Sequence, residues 1–429
     1  MSGRWTTAGP APMVTAMAET RTGAERSDFD TDVLIVGGGL VGLSLACAVS
    51  AAGLEVTVVD REPPAEMLDP AFDGRASSIA LGSARMLKAI GVWAGLGETA
   101  QPVWEIRVTE AFSTLYLHYD HRAAGGEPMG YIVENRDLRR ALHRAVRSRT
   151  AIDWRAPASV ADLVRDGHGA SATLDDGTQV RARLLAAADG KHSALRARAG
   201  IGVFTHAYRQ TGIVCTLGHE RPHRGIACER FFPAGPFAIL PMLGNRSSLV
   251  WTEAEELAPA MMALSEAAFL NEVASRLGDY LGALEVIGPR WSYPLMLGHA
   301  RHFTAERLAL LGDAAHAIHP LAGQGLNLGL RDVAALAEIV ADAHRLGLDI
   351  GDGARLARYG RWRRFDTMRM ALVTDGLNRL FSNDVAPLRA VRDLGLAAVN
   401  RMGPLKTFFM GHAMGTTGDL PRLMRGEPL

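Results

Sequence analysis

The sequence predicts an α/β fold made of a nucleotide-binding domain, an inserted sheet domain and C-terminal helices. Three observations predict it: a β-α-β pattern at residues 31–60, short alternating strands between residues 159 and 293, and helical spacing after residue 353. A chain of 429 residues is also too long for one ordinary core. We expect an extension at residues 1–30, a nucleotide-binding domain at 31–200 and 301–350, a substrate domain at 201–300 and a helical region at 351–429.

The composition excludes several classes of protein. Lys+Arg and Asp+Glu balance at 46 each, which argues against a nucleic-acid-binding protein. The three cysteines form no C-x-x-C pair, so neither a disulfide framework nor a dithiol redox centre is expected. Residues 33–53 carry no charge, but their consecutive glycines favour a strand, turn and buried helix over a membrane span. The first thirty residues lack the apolar stretch of a signal peptide and are predicted to be disordered.

A glycine-rich turn follows the first predicted strand. Gly37, Gly39 and Gly42 fit the pattern G-x-G-x-x-G at the start of a helix. The first glycine permits a tight turn, the second lets a pyrophosphate approach the backbone, and the third lets the helix pack on the strand. Asp60 ends the second strand, where a carboxylate can accept hydrogen bonds from ribose hydroxyls. The combination predicts a Rossmann-like dinucleotide-binding domain.

A second informative segment covers residues 308–332. It is predicted to form a buried strand, a Gly312-Asp313 pair, a turn with Pro320 and several glycines, and a long helix. An acid at the end of a strand can bind hydroxyl groups, and a glycine-rich helix start offers free backbone N–H groups to an anion. This pairing suits a flavin, which has a ribityl chain and an electron-rich pyrimidine edge.

Two further patches are uninformative alone but decisive together. Arg75 lies in a loop before a helix, and Asp189-Gly190 follows a buried strand. With the motifs above, they resemble the flavin-dependent aromatic hydroxylases of the para-hydroxybenzoate hydroxylase fold. The string from His319 to Asp332 is similar to the signature of the ubiquinone-biosynthesis ring hydroxylases, as are residues 130–135, 293–295 and 376–382.

The resemblance implies a Rossmann-like FAD-binding domain with an inserted mixed or antiparallel-sheet substrate domain and C-terminal helices. It implies that Asp313 binds the ribityl chain and that the backbone at residues 325–327 faces the flavin pyrimidine edge. The expected FAD-binding residues are Gly37, Gly39, Leu40, Val41, Gly42, Asp60, Arg61, Arg75, Asn135, Asp189, Gly190, Gly312, Asp313, Pro320, Gly323, Gly325, Leu326 and Asn327.

The expected substrate pocket lies in the second domain. Phe232, Phe237 and Trp251, facing Pro320 and Leu321, would suit a hydrophobic aromatic substrate, although each could equally belong to the core of the sheet. His316 and His319 are three residues apart, but too few further ligands accompany them to predict a metal site. Turn and packing roles are favoured for both. No catalytic acid or base is assigned.

The C-terminal region is basic. Residues 354–429 contain thirteen Lys/Arg and six Asp/Glu, a net charge of +7. Such charge near apolar side chains favours docking to an anionic membrane surface. The residues considered are Arg355, Arg358, Arg361, Arg363, Arg364, Arg369, Lys406, Phe408, Phe409, Met410 and Met414. The alternative is helices that pack on the FAD-binding domain with a solvated charged face.

The favoured function is an FAD-dependent monooxygenase that hydroxylates a ring carbon of a polyprenylated ubiquinone precursor. The class uses NADH or NADPH and O2 and forms a flavin C4a-hydroperoxide in a dry pocket. Other ubiquinone-biosynthesis proteins and a further copy of the chain are expected partners, and the expected location is the cytoplasm, at the inner face of the membrane. The alternatives are a hydroxylase of another aromatic, such as a phenolic acid or polyketide, and a non-catalytic FAD-binding subunit.

Overall fold

The structure is a computed structural model that describes residues 28–69, 75–110, 116–318, 323–381 and 402–429. The predicted extension at residues 1–30 lies almost wholly outside this part. The strands are β1 Thr31–Val36, β2 Val56–Val59, β3 Ala76–Ala80, β4 Gln101–Val103, β5 Glu105–Glu110, β6 Tyr116–Asp120, β7 Gly130–Glu134, β8 Ile152–Arg155, β9 Val160–Arg165, β10 Ala170–Leu174, β11 Gln179–Ala187, β12 Val203–His219, β13 Ile226–Phe232, β14 Gly235–Met242, β15 Arg246–Ala254, β16 Leu284–Ala300, β17 Thr304–Ala305, β18 Leu308–Leu310 and β19 His316–Ala317.

The helices of the described residues are of very different lengths. They are α1 Leu40–Ala51, α2 Leu81–Ala89, α3 Asn135–Arg147, α4 Ala194–Arg198, α5 Ala258–Ala263, α6 Glu266–Leu277, α7 Gln324–Arg345, α8 Gly353–Phe381, α9 Gly403–Met414 and α10 Arg422–Arg425. In the described part of the chain, no helix combines the length and apolar character needed to cross a bilayer.

The first sheet has the order β17-β18-β11-β1-β2-β8, with β10 and β9 continuing from β11. Strands β18, β11, β1, β2 and β8 are parallel neighbours. Parallel strands covered on both faces need apolar side chains throughout. Leu34, Ile35, Leu184 and Leu185 are accordingly fully buried. The predicted β-α-β unit thus forms, and the chain returns to the same sheet at β18.

The second sheet has the order β19-β16-β12-β15-β14-β13-β5-β6 and is mainly antiparallel. Strands β5 and β6 belong to it, whereas the sequence places them in the first part of the FAD-binding domain. Strand β5 pairs in parallel with β13, which follows more than a hundred residues later. Alternating apolar residues predict a strand but not its partner, so the early crossing between domains was not expected.

The C-terminal helices pack against both domains. Leu423 and Met424 of α10 are buried in the core of the first sheet. Met410 and Met414 of α9 are 1% and 3% exposed and pack with residues of the second sheet, among them Phe231. The two methionines are therefore unavailable to a membrane, which corrects the sequence-based expectation. The same holds for Arg363, which is 2% exposed.

Candidate functional site

A cavity of about 550 Å³ lies where the two sheets meet. The first domain contributes the glycine-rich turn, the loop after β11 and the Gly312-Asp313 segment. The second sheet contributes an apolar wall. The residues of this wall include Ile106, Val214, Ala227, Pro236, Ala238, Leu240, Val250, Leu295 and Met296. The cavity is therefore polar on one side and apolar on the other.

The structure explains in different ways why each of the three motif positions is glycine. Gly37 has a φ of +107°, and a Cβ added there would lie 2.3 Å from the Ala188 carbonyl oxygen. A Cβ on Gly42 would lie 1.8 Å from the Gly37 carbonyl oxygen. A Cβ on Gly39 would meet nothing within 4 Å, and Gly39 lines the cavity together with Leu40 and Val41. The packing of the protein thus requires Gly37 and Gly42, whereas Gly39 leaves open space for a ligand.

Asp60 lies at the end of β2, beside the glycine-rich turn. Its carboxylate accepts hydrogen bonds from the backbone N–H groups of Gly38 and of Glu62, the latter at 2.7 Å. Burial raises the pKa of Asp60, although these two hydrogen bonds oppose the rise. The neighbouring Arg61 is exposed and forms an ion pair with Glu62 at 3.4 Å. The assignment of Asp60 and Arg61 to the cofactor stays a prediction.

Arg75 and Asn135 lie together on the cavity. The backbone N–H of Asn135 donates to the Arg75 carbonyl oxygen at 3.0 Å, and the Ser77 hydroxyl donates to Asn135 Oδ1 at 2.5 Å. The Arg75 guanidinium lies 4.8 Å from the centroid of the Tyr293 ring. This contact places a positive charge from the first domain against the second sheet.

The Asp189-Gly190 turn follows β11. Asp189 Oδ2 accepts a hydrogen bond from the Leu195 N–H at 3.2 Å, while its buried Oδ1 has no hydrogen-bond partner among the described residues. An unpaired buried acceptor costs about 1–3 kcal/mol, so a ligand that donates to it would be stabilised. Gly190 itself lines the cavity.

Asp313 projects from the end of the first sheet into the cavity. Its side chain is exposed to that space, yet protein surrounds it on most sides. This desolvation raises the pKa of Asp313, and electrostatic interactions with His316, Arg75 and Lys191 oppose the rise. A carboxylate in such a place is suited to accept hydrogen bonds from hydroxyl groups of a ligand.

A buried charge network positions Asp313, and the sequence did not reveal it. Asp332 Oδ2 accepts from the Gly312 N–H at 2.9 Å and lies 2.6 Å from His316 Nε2. Asp332 Oδ1 accepts from Arg363 Nε of α8 at 2.7 Å. His316 thus has the packing role that was favoured for it. Asp332 and Arg363 are 31 positions apart in the sequence, so their hydrogen bond leaves no local sequence pattern.

The start of α7 borders the cavity through Gly325 and Leu326. Gly323 precedes the helix with a φ of +63° and has no side chain with which to cap the N–H groups of the first turn. Asn327 is occupied within the protein, since it accepts from the Ala80 N–H at 2.9 Å and donates to the Ser78 carbonyl oxygen at 2.8 Å. His319, Pro320 and Leu321 lie outside the described residues.

The expected substrate residues require correction. Phe237 and Trp251 are each 1% exposed and pack beneath α5 and α6, on the face of the sheet opposite the cavity. Phe232 packs against the same cluster. Side chains alternate between the faces of a strand, so their neighbours Pro236, Ala238, Val250 and Thr252 form the cavity wall instead.

The described residues contain no group of three or more His, Cys, Asp or Glu that could hold a metal ion. They do fit FAD. Gly39, with open space beside it, and the Asp313 carboxylate both line one cavity, and Gly190, which follows Asp189, lines it as well. A dinucleotide needs such a combination of a phosphate approach and a hydroxyl acceptor.

Comparison with known proteins decides the family. A family profile described as "FAD binding domain" matches residues 30–369. The chain is 54% identical over 406 residues to ubiquinone hydroxylase UbiL of Rhodospirillum rubrum, covering 94% of each chain. It is 34% identical over 386 residues to 3-demethoxyubiquinol 3-hydroxylase of Escherichia coli, covering 90% of this chain and 98% of the relative.

The chain belongs to the ubiquinone-biosynthesis FAD hydroxylase family. Among solved structures, p-nitrophenol 4-monooxygenase PnpA of Pseudomonas putida matches with a TM-score of 0.75 at 19% identity, over 90% of this chain and 99% of that chain. This likeness confirms the predicted fold class. Membership of the family confirms FAD as the cofactor and an FAD-dependent monooxygenase as the class of enzyme, with NAD(P)H as the donor typical of that class.

Proposed function

We propose that this protein hydroxylates a ring carbon of a polyprenylated ubiquinone precursor, using FAD, NAD(P)H and O2. The observation that carries the proposal is a single cavity between the FAD-binding motifs and an apolar sheet wall. Such a wall excludes water and suits an aromatic ring with a hydrocarbon chain. The 54% identity to a ubiquinone hydroxylase supports this substrate over a phenolic acid or a polyketide.

The residues of this chain have distinct tasks in the proposed reaction. The turn at residues 37–42 would hold the pyrophosphate, and Asp313 would accept hydrogen bonds from the ribityl chain. The unpaired Oδ1 atom of Asp189, next to the lining residue Gly190, would accept a further hydrogen bond from the cofactor. Bound FAD supplies electron transfer from NAD(P)H and activation of O2. The apolar wall would hold the ring beside it and keep water away. Arg75, above Tyr293, would place positive charge where negative charge develops during the reaction.

The function is tested by mass spectrometry of quinone intermediates. A strain that lacks this chain should accumulate a prenylated intermediate with one ring hydroxylation missing, and the intact gene should restore the quinone. The purified protein should convert that intermediate with consumption of NAD(P)H and O2. Accumulation of no quinone intermediate, together with turnover of a simple phenolic acid, would favour the alternative.

We further propose that α8 contacts an anionic membrane surface, from which a prenylated substrate would enter. Phe365, Met368 and Leu372 are 67%, 46% and 68% exposed and lie on one face of α8, at spacings of three and four residues. The exposed Arg361 and Arg364 lie one turn before the first two. Apolar side chains bordered by cations favour anionic headgroups, and each cation near the surface contributes about 1 kcal/mol.

Liposome flotation tests this surface. The double variant Phe365→Ser/Leu372→Ser should bind vesicles containing phosphatidylserine at least tenfold more weakly, while binding to purely zwitterionic vesicles stays weak for both proteins. Leu346→Ser is the matched control, because Leu346 is 71% exposed but lies beyond the end of α7. Equal binding of the double variant and the control would contradict the proposal. Contacts with other biosynthetic proteins and with a further copy of the chain stay predictions.

A further inference from the structure

The apolar wall of the cavity contains one carboxylate. Glu229 of β13 lines the cavity and is half-buried. It pairs across the sheet with Ala238 on one side and Val108 on the other. Among the described lining residues, the remaining carboxylate is Asp313, which comes from the first domain. Among the described residues, the second sheet therefore presents one acid to the cavity.

The strand register shows which face of the second sheet carries the Glu229 side chain. Residues directly opposite on neighbouring strands share a face, so Glu229 lies on the same face as Ala238 and Val250, both of which line the cavity. The next residue along this face of β13, Phe231, is covered by Met410 and Met414 of α9. Glu229 thus lies on the substrate side of the cavity, whose lining also includes Ala413 of α9.

A carboxylate in the wall of a cavity can accept a proton from a ligand that lies against that wall. In the proposed hydroxylation, a hydroxyl group already on the ring must give up its proton for the ring carbon to become a strong nucleophile. This ionisation requires a proton acceptor on the substrate side, because the FAD side carries the cations Arg75 and Lys191.

We propose that Glu229 is the general base that accepts the proton of a ring hydroxyl of the substrate. The O–H bond breaks, the proton passes to the Glu229 carboxylate, and the electron pair stays on the substrate oxygen and is delocalised into the ring. The carbon ortho or para to that oxygen would then form a C–O bond to the oxygen atom that the bound cofactor activates. The O–O bond would break with its electron pair leaving on the oxygen atom of the cofactor side, and the ring carbon would lose its proton as aromaticity is restored. The inference rests on the proposed function and narrows its substrate class to rings with a free hydroxyl.

Glu229 acts by accepting a proton, because its negative charge would not stabilise the ionised hydroxyl of the substrate. A fixed negative charge opposes ionisation of a nearby phenol: burial raises the pKa of Tyr119 to about 12, and the charge of Glu229 adds to the rise. Glu229 can promote loss of a proton from the substrate only by taking that proton, after which its own carboxyl group is neutral.

The test uses the full-length FAD-loaded enzyme and four proteins: wild type, Glu229→Gln, Glu229→Asp and Glu285→Gln. Glu285 is a matched control because it is an exposed glutamate of the same sheet. Product, NAD(P)H consumption and hydrogen peroxide are measured with a prenylated phenol and with its ring-fluorinated analogue, whose hydroxyl is more acidic. FAD content and thermal unfolding are measured for each protein.

We expect Glu229→Gln to retain FAD and NAD(P)H oxidation but to form product about 100-fold more slowly, with oxygen recovered as hydrogen peroxide. Glu229→Asp should recover part of the rate, and the fluorinated phenol should reduce the deficit of Glu229→Gln. Product formation by Glu229→Gln within about twofold of wild type would overturn the inference, and so would an equal deficit with both phenols. No product from wild type with either phenol would contradict the proposed function itself.

Discussion

At the scale of single residues, the site depends on buried charges that lie outside the cavity. Asp332 is fully buried and holds the backbone of Gly312 on one side and Arg363 on the other. Arg363 also donates to Asp366, which in turn receives Arg331 of α7. Removing the fully buried Asp332 would leave an uncompensated charge on Arg363 and cost about 3–5 kcal/mol. The position of Asp313 is thus coupled to the packing of α8.

The contribution of Asp366 to this network can be measured from the pH dependence of the free energy of unfolding. Burial would raise its pKa, but the charges and hydrogen bonds of Arg363 and Arg331 outweigh burial and lower it to about 2. A group whose pKa is depressed in the folded state stabilises the fold above its unfolded pKa of about 4 and loses that contribution as the pH falls towards 2. Asp366→Asn should therefore lower the free energy of unfolding at pH 7 by roughly 2 kcal/mol.

The measurement is chemical unfolding of wild type and Asp366→Asn between pH 7 and pH 2. The difference between the two proteins should shrink between about pH 4 and pH 2. Asp153→Asn is the control, because Asp153 forms an exposed pair with Arg155 and should contribute less than about 1 kcal/mol. A difference that persists unchanged at pH 2 would show that the charge of Asp366 is not its cause.

At the scale of elements, the glycine-rich turn was predictable because its requirements are local. A tight turn, a close backbone approach and a helix start each select glycine at a fixed spacing. The partners of α8 and α9 were not predictable. An arginine-rich helix gives no local sign that Arg363 is buried, and Met410 and Met414 would suit a membrane contact although they pack with Phe231. Deleting residues 403–429 would therefore damage the fold and is not a test of membrane binding.

The turn itself separates folding from cofactor binding. Gly42→Ala places a Cβ against the Gly37 carbonyl oxygen and should destabilise the apoprotein by about 3 kcal/mol. Gly39→Ala meets open space at a φ of −74°, so apoprotein stability should change by less than about 1 kcal/mol. Its FAD affinity should nevertheless fall by about tenfold or more, because the methyl group occupies the space needed by the pyrophosphate.

Thermal unfolding of the apoproteins and titration with FAD distinguish these two effects. Gly53→Ala is not a suitable comparison, since Gly53 has a φ of +89°. Ala52→Gly, at the end of the same helix, tests for a general loss of helix stability without touching the turn. Unchanged FAD affinity in Gly39→Ala would contradict the assignment of this turn to the pyrophosphate.

At the scale of the whole molecule, the fold class was predictable from sequence patterns. Which face of the second sheet lines the cavity was not predictable. Both of its faces are apolar, because one covers the core beneath α5 and α6 and the other lines the cavity. Hydrophobicity therefore could not distinguish Trp251, which is core, from Val250, which is cavity wall. A one-residue step along a strand exchanges the two faces.

The two faces should respond differently to substitution. Trp251→Ala should lower the free energy of unfolding by about 3–5 kcal/mol, because it opens a void beside Phe237 and Phe269. Ala238→Leu extends into the cavity and should change stability by less than about 1 kcal/mol while raising KM for a prenylated substrate about tenfold. Denaturant unfolding and steady-state kinetics measure the two effects. A large loss of stability in Ala238→Leu would place Ala238 in the core instead.

The path of the chain through the first sheet has a consequence for biosynthesis on the ribosome. Leu185 of β11 pairs with Leu308 of β18, and the core that contains Val33 also contains Leu423 and Met424. The nascent nucleotide-binding strands must therefore wait, with apolar surface uncovered, while almost the whole polypeptide is translated. Sequence-distant pairing of this kind slows folding and exposes intermediates to aggregation. Because the FAD-binding domain is completed only by residues near the end of the chain, we expect its folding during synthesis to depend on chaperones.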